Sequence, residues 1–228
     1  MYANHWVFGV CDGHGLFGHH ASSMVKRLLP KAIFKKGKKN HVSTSVGSKM
    51  SKNIANGTSD STSFNPSKSE LLNKNISAGF KHLHQNMEDM KCPFDASFSG
   101  TTVNLVFINS EQKKLVCANA GDSRSVLYSI KPQEAGGQSS DDVNTGSPHD
   151  ELDKAEWEIT PLSDDHKPDL PKEHERITKK FGGRVLSYLD GQGKPVGPAR
   201  VWLKNQNIPG LAMSRSIGDI VAHSVGVE

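Results

Sequence analysis

The stretch of sequence that decides the fold is the octet FGVCDGHG at residues 8–15. The apolar run over residues 6–11 predicts a buried strand, and this strand stops at the acidic residue Asp12. A carboxylate at the end of a strand is held rigidly and still reaches water, which makes Asp12 a candidate ligand for a hard divalent cation. Gly13 lets the backbone turn sharply and present a carbonyl at close range.

His14 follows directly, and histidine is the side chain best suited to proton transfer near neutral pH. The octet alone fits an ordinary strand-to-turn junction equally well, because Asp and Gly are common turn residues. A second acidic turn contains Asp122, between strands predicted at residues 115–119 and 125–130. Asp122 also has a plain alternative as a hairpin residue, and the first motif is the reason to interpret it functionally.

Composition bounds the class of protein. The 228 residues suit one domain or most of a larger one, and the hydrophobic share of 35% is low enough to predict polar insertions, at about 36–67 and 132–153. A net charge of +4 is too weak to indicate nucleic acid, and no apolar run approaches the roughly 20 residues of a membrane span. Three widely spaced cysteines argue against a disulfide framework. We therefore expect a monomer of the cytoplasm and/or nucleus, with neither a nucleic-acid nor a membrane partner.

The hydrophobic periodicity predicts alternating helices and strands. Ala21, Val25 and Leu29 share one face of a helix that begins after Gly18 and is followed by Pro30. A second, long amphipathic helix is predicted to end near residue 90, and a short one over residues 173–181. Further strands are predicted at residues 103–108, 157–161, 184–189 and 200–203. Helices, strands and strand-end carboxylates together indicate an α+β or layered α/β enzyme that binds divalent metal.

Two families of metal-dependent phosphohydrolase could account for the acidic motifs at Asp12 and Asp122. In a calcineurin-like metallophosphoesterase, Asp12 and His14 would form a metal-binding pair, and a Gly-Asn-His element would follow the second acidic motif. Asn119, Asn205 and Asn207 have no adjacent histidine. That interpretation fails on its third element.

The chain resembles instead a PPM-type, metal-dependent protein serine/threonine phosphatase (type 2C). Six stretches match motifs of that family in order: residues 8–15, 99–102, 118–124, 165–168, 175–177 with 182–183, and 211–219. Residues 15–19 and 200–203 are similar to the variants found in plants and protists.

The resemblance implies a four-layer α-β-β-α sandwich of two antiparallel sheets flanked by helices. It implies hydrolysis of phosphoserine and phosphothreonine in phosphoproteins by a metal-activated water, with no phosphoenzyme. Asp12 would bridge two Mg²⁺ or Mn²⁺ ions, the Gly13 carbonyl would coordinate, Asp122 would help hold a third, weaker ion, and His14 would be the general acid. Residues 168–201 would form a flap beside the cleft that contributes to substrate choice. Residues 165–168 and 214–219 would support sheet and loops.

The chain also departs from the family pattern. The family's arginine and Glu-Asp motif would precede Met1, and its later Asp-Gly and Asp-Asn motifs would follow Glu228. We therefore expect a partial domain, truncated at both ends and lacking its C-terminal strands. These segments supply most of the metal carboxylates, so the alternative function is a catalytically inactive fragment or pseudophosphatase that acts as a binding or regulatory module.

Overall fold

The computed structural model describes residues 5–34, 68–131 and 156–228. These ranges contain the strands β1 His5–Val10, β2 Gly13–His14, β3 Gly100–Thr101, β4 Val103–Asn109, β5 Lys114–Ala120, β6 Val126–Ile130, β7 Trp157–Pro161, β8 Arg184–Leu189, β9 Pro195–Trp202, β10 Pro209–Leu211 and β11 Ile217–Gly218. They also contain the helices α1 Gly18–Phe34, α2 Lys68–Glu88, α3 Pro171–Glu175 and α4 Ile220–His223. The polar insertions predicted at about 36–67 and 132–153 lie outside the described residues.

Every strand pair in these ranges is antiparallel, and the mixed α and β content confirms the predicted class. The strands form four sheets, ordered β1-β4-β5, β10-β9-β8, β11-β3-β2 and β6-β7. Among the described helices, none has the length and apolar character needed to span a membrane.

Helices α1 and α2 pack on one face of the β1-β4-β5 sheet and form the main core. Its buried side chains recur at helical spacing on α1 and α2 and at every second position of β4: Ala21, Val25, Leu29, Ile33, Ile76, Leu83, Met87, Val103, Leu105 and Phe107. The predicted helical faces are thus confirmed. Pro30 does not end α1, which continues to Phe34. Burial of Ile33, in the turn after Pro30, offsets the hydrogen bond that the proline cannot donate.

The opposite face of this sheet is exposed at β1, which contradicts the prediction that this strand is buried. Strand β1 was expected to be buried, but Trp6, Phe8 and Val10, which share that face, are each about 60% exposed. Strand β1 is an edge strand that pairs with β4 alone among the described strands, and Val7, on the face that meets the helices, is also 42% exposed. The apolar run therefore correctly predicted a strand and incorrectly predicted two covered faces.

A second, smaller core joins the π-helical segment after α3 and the last residues of the chain to the β8-β9-β10 sheet. Ile177 and Val201 are fully buried at its centre. The helix predicted over residues 173–181 is α3 together with a π-helical segment, Arg176–Lys180. Strand β8 has the predicted bounds, whereas β9 begins at Pro195, earlier than predicted. The hairpin turn between them is closed by Asp190, as predicted.

Candidate active site

Three stretches that lie far apart in the sequence meet in the small β2-β3-β11 sheet. His14 of β2 pairs with Gly100 of β3, and Gly100 pairs in turn with Gly218 of β11. Each of these strands has only two residues. The sheet thereby joins three of the six motifs that carried the family resemblance.

Two glycines are required by close approaches at this sheet. A Cβ on Gly100 would lie 2.3 Å from Oδ2 of Asp219, so only glycine leaves room for that carboxylate. Gly15 has φ +78°, and a Cβ there would lie 2.2 Å from the carbonyl oxygen of Phe98. Gly15 and Gly100 thus allow the backbone to pack tightly around His14.

Asp12 follows the end of β1 with an anchored backbone and an exposed side chain. Its N–H donates to Oγ1 of Thr102 at 3.0 Å, and its carbonyl accepts from the N–H of Thr102 at 2.9 Å. Gly13 comes next and pairs with Thr101 of β3. The carboxylate of Asp12 therefore faces solvent from a fixed position.

His14 is held by a carboxylate that sequence reasoning assigned to a supporting role. Its Nε2 lies 2.6 Å from Oδ2 of Asp219, and the two side chains are 24% and 3% exposed. Ser216 Oγ donates to the same Oδ2 at 2.6 Å. His14 and Asp219 are 205 positions apart in the sequence, so no local pattern indicated this contact.

The pKa of His14 reports the charges around it. Burial lowers this pKa, but the hydrogen bond to Asp219 and the charges of Asp219, Asp12 and Asp122 outweigh burial, and the pKa rises above its ordinary value. The fields of Asp12 and Asp122 both act on the imidazole, so the predicted site residues share one region. The shift in pKa favours the protonated form of the His14 imidazole.

Asp122 lies in the turn after β5 and forms an ion pair with Nζ of Lys167. The turn is fixed by His166, whose Nδ1 accepts from the N–H of Gly121 at 3.1 Å and whose N–H donates to the Gly121 carbonyl at 3.0 Å. Residues 165–168 thus support the turn at the position where sequence analysis expected support. The direct contact between Lys167 and Asp122 was not predicted.

Asn104 organises the polar layer beside this turn. It is buried, and its Nδ2 lies within hydrogen-bond distance of the Asn119 side chain, the Ser123 carbonyl and Ser163 Oγ. Asn104 was not predicted, because it lies in an apolar strand run just after the motif at residues 99–102 and outside it. A lone polar residue in such a run is the one signal that could have identified it.

A second cluster, which we call the Glu173 cluster, lies between α3 and the loop before β11. Glu173 is 5% exposed and accepts from Nη2 of Arg176 at 2.7 Å and from Nη2 of Arg215 at 2.6 Å. Ser214 Oγ also donates to Glu173, at 2.6 Å. Burial raises the pKa of Glu173, but these three donors prevail and lower it to about 2.

The donor set can be compared with the needs of a divalent cation. Asp12 and Asp122 are oxygen donors of the kind that Mg²⁺ and Mn²⁺ prefer. Across the described ranges, however, no group of three or more His, Cys, Asp or Glu side chains could hold a metal ion. The residues present therefore fit part of a metal site and do not complete one.

The fold and the site define a class: an α+β domain with antiparallel sheets in which strand-end carboxylates lie beside a histidine. The chain matches the family model described as protein phosphatase 2C over residues 2–225, and it belongs to that family.

Relatives and solved structures agree with the assignment. Probable protein phosphatase 2C 72 of Arabidopsis thaliana is 33% identical over 223 residues, covering 96% of this chain and 52% of the relative. Probable protein phosphatase 2C 38 of Oryza sativa subsp. japonica is 31% identical over 233 residues, covering 96% of this chain and 44% of the relative. The predicted likeness to plant members is confirmed, and the chain spans about half the length of these relatives.

Two solved structures are similar in fold. A serine-threonine phosphatase 2C from Toxoplasma gondii matches with a TM-score of 0.60 at 18% identity, covering 99% of this chain and 61% of that one. A sex determining protein from C. elegans matches with a TM-score of 0.53 at 19% identity, covering 95% of this chain and 36% of that one.

Proposed function

We propose that the protein containing this chain hydrolyses the phosphate esters of phosphoserine and phosphothreonine in phosphoproteins. The observation that carries the proposal is the setting of His14, whose Nε2 is bonded to Asp219 and whose pKa is raised by that bond and by the charges of Asp219, Asp12 and Asp122. Two carboxylates near an imidazole offer oxygen ligands for cations together with an acid for a leaving group.

The proposed cofactor is Mg²⁺ or Mn²⁺, as two ions with a third held more weakly. Asp12 would bridge the two ions, the carbonyl of Gly13 would bind one of them, and Asp122 would help hold the third. When bound, the two metal ions supply an activated water and neutralise charge on the phosphoryl oxygens. Asp122 also forms an ion pair with Lys167.

His14 is the proposed general acid. It donates a proton to the serine or threonine oxygen as the bond from that oxygen to phosphorus breaks. General acids of this kind contribute about 10²- to 10⁴-fold to the rate. An alkoxide is a poor leaving group, so the need for this proton is greatest with the natural esters.

The complete domain is proposed to be a four-layer α-β-β-α sandwich. The exposed apolar face of β1 supports this, because a second sheet would cover Trp6, Phe8 and Val10. Residues 168–201 would act as a flap that contributes to substrate choice, with exposed apolar side chains on its β8–β9 hairpin. We propose a monomer that acts in the cytoplasm and/or the nucleus.

The proposal is tested by measuring Mn²⁺-dependent phosphate release from a phosphothreonine peptide. The assay compares the 228-residue chain with the full-length protein, each as wild type and as Asp12→Asn. We expect the full-length protein to be active and Asp12→Asn to abolish that activity, since the variant removes a charged cation ligand.

The matched control is Asp89→Asn, which makes the same change at an exposed aspartate just after α2, outside both the site and the flap. It should retain activity. A full-length protein that binds the phosphopeptide without turning it over would contradict the proposal and support a binding module. Activity that survives Asp12→Asn would contradict the assigned role of Asp12.

A further inference from the structure

Asp219 is fixed from several directions, which makes it a rigid base for whatever it holds. Its backbone has φ 48° and ψ 45°, a left-handed conformation that is uncommon outside glycine and often found at functional sites. Its N–H donates to the Ser99 carbonyl at 2.9 Å, and its own carbonyl accepts from the N–H of Ala222 at 2.8 Å. Ser216 Oγ then orients the carboxylate, and Gly100 leaves the space it occupies.

The other histidines near Asp219 are engaged elsewhere. The rings of His84 and His223 stack with centroids 3.9 Å apart. Nδ1 of His84 accepts from the N–H of Gly218 at 3.4 Å, and Nε2 of His223 donates to the Ser216 carbonyl at 3.2 Å. His14 is therefore the histidine to which the carboxylate of Asp219 is bonded.

The two ring nitrogens of His14 differ in environment. A carboxylate only accepts, so Nε2 carries a proton and donates it to Asp219. Nδ1 has no hydrogen-bond partner among the described residues, and the side chain is partly open to solvent. Nε2 is thus committed to the protein, and Nδ1 remains available to a substrate.

We propose that Asp219 is the positioning residue for His14, holding Nε2–H so that Nδ1 is the nitrogen that protonates the leaving oxygen. This inference rests on the proposed function. In the step, water attacks phosphorus and the bond from phosphorus to the serine or threonine oxygen breaks. That oxygen takes the proton of Nδ1–H, and His14 is left neutral with Nε2–H still on Asp219. Solvent then returns a proton to Nδ1.

A purely structural role for the pair predicts different behaviour. The contact ties β2 to the turn before α4, so its loss could simply loosen the small sheet. Such loosening would lower turnover of all phosphate esters alike. A positioning role lowers turnover mainly where the leaving oxygen needs a proton.

The test compares a phosphothreonine peptide, which has a poor leaving group, with p-nitrophenyl phosphate, which has a good one. It uses the full-length protein with saturating Mn²⁺. Asp219→Asn should lower kcat on the peptide about 10- to 100-fold and on the aryl phosphate by no more than about threefold. Ser216→Ala should move the same ratio in the same direction by less, and Asp89→Asn, at an exposed position just after α2, should not move it. Equal losses on both substrates would overturn the inference.

A second readout does not depend on activity. Nitrogen-15 NMR of the histidine rings in the 228-residue chain, assigned with His14→Gln, should show a His14 Nε2–H that is protected from exchange with solvent and loses its protection in Asp219→Ala. Equally fast exchange in wild type and variant would overturn the inference even if the variants fail to fold well enough for kinetics. A full-length wild type that hydrolyses neither substrate would overturn the proposed function and the catalytic role of Asp219, whereas the NMR result still decides whether the hydrogen bond exists.

Discussion

Asp219 and Glu173 are both buried carboxylates, and each accepts from a serine hydroxyl at 2.6 Å. They differ in their cationic partners. Among the described residues, Glu173 pairs with the cations of Arg176 and Arg215, whereas the one basic side chain bonded to Asp219 is His14. Arginine stays protonated at every relevant pH, whereas histidine gains and loses its proton near neutrality.

We call Glu173 with its arginines the structural pair and Asp219 with His14 the chemical pair, because only histidine gains and loses its proton near neutral pH. Both guanidinium groups on Glu173 have further partners, because Arg176 also donates to the carbonyls of Gly226 and Ser214 and Arg215 also pairs with Glu228. His14 commits one nitrogen and leaves the other available. A carboxylate, a serine and a cationic side chain therefore stabilise the fold at Glu173. The same combination of groups orients a proton donor at Asp219.

The largest expected effect is at the chemical pair. His14→Ala should lower turnover of a phosphothreonine peptide by about 10²- to 10⁴-fold, because no other acid replaces the imidazole. Turnover of p-nitrophenyl phosphate should fall far less. Steady-state kinetics of the full-length protein check this, and a loss on the peptide below tenfold would remove His14 from its assigned role.

The structural pair should respond in stability. Glu173→Gln should lower the free energy of unfolding by about 3 kcal/mol, since it leaves two guanidinium groups without their carboxylate. Urea unfolding of the 228-residue chain measures this. Glu175→Gln, a neighbour whose carboxylate is exposed, is the control and should cost less than about 0.5 kcal/mol. Similar costs for both variants would mean that the Glu173 cluster contributes little.

A smaller effect is expected from acid. Burial, with help from the charge of His84, lowers the pKa of His223 from 6.5 to about 4. Between these values the unfolded chain binds a proton that the folded chain does not, so stability is complete above pH 6.5 and falls as the pH drops toward 4. The loss should be about 1–3 kcal/mol.

Urea unfolding across this pH range checks the expectation. His223→Gln should flatten the pH dependence, and His82→Gln, at an exposed position of α2, should leave it unchanged. An equally steep dependence in His223→Gln would assign the effect to another group.

The smallest effect on stability is expected at Arg124 and Asp165, an acid–arginine pair that lies at the surface. Arg124 Nε and Nη2 donate to the two carboxylate oxygens of Asp165 at 3.0 and 2.9 Å, but the arginine side chain is 61% exposed. Arg124→Ala should lower the free energy of unfolding far less than Glu173→Gln does, because water screens the exposed pair. A cost as large as that of Glu173→Gln would show that burial is not what distinguishes the two pairs.

Local patterns predicted most of the elements. The periodicity of 3.6 residues identified the buried faces of α1 and α2, and alternating apolar runs located β4 to β8. The octet at residues 8–15 singled out Asp12, Gly13 and His14 without knowledge of the fold.

The pairings across long stretches of chain could not be predicted. The strands that bring His14 to Asp219 have two residues each, which is too short to leave a periodic pattern. Whether a sheet face is covered depends on other layers, so the exposure of Trp6 was also hidden. No sequence pattern predicted the contact between Lys167 and Asp122, because a lysine beside a proline is typical of a solvated loop.

The most direct test of the central claim is a double-mutant cycle on His14 and Asp219, with kcat on a phosphothreonine peptide as the readout. If Asp219 acts through His14, then Asp219→Asn should have no further effect in the His14→Ala background, and the double variant should match His14→Ala. If the two losses multiply, Asp219 and His14 act independently, and the account of a positioned proton donor is wrong.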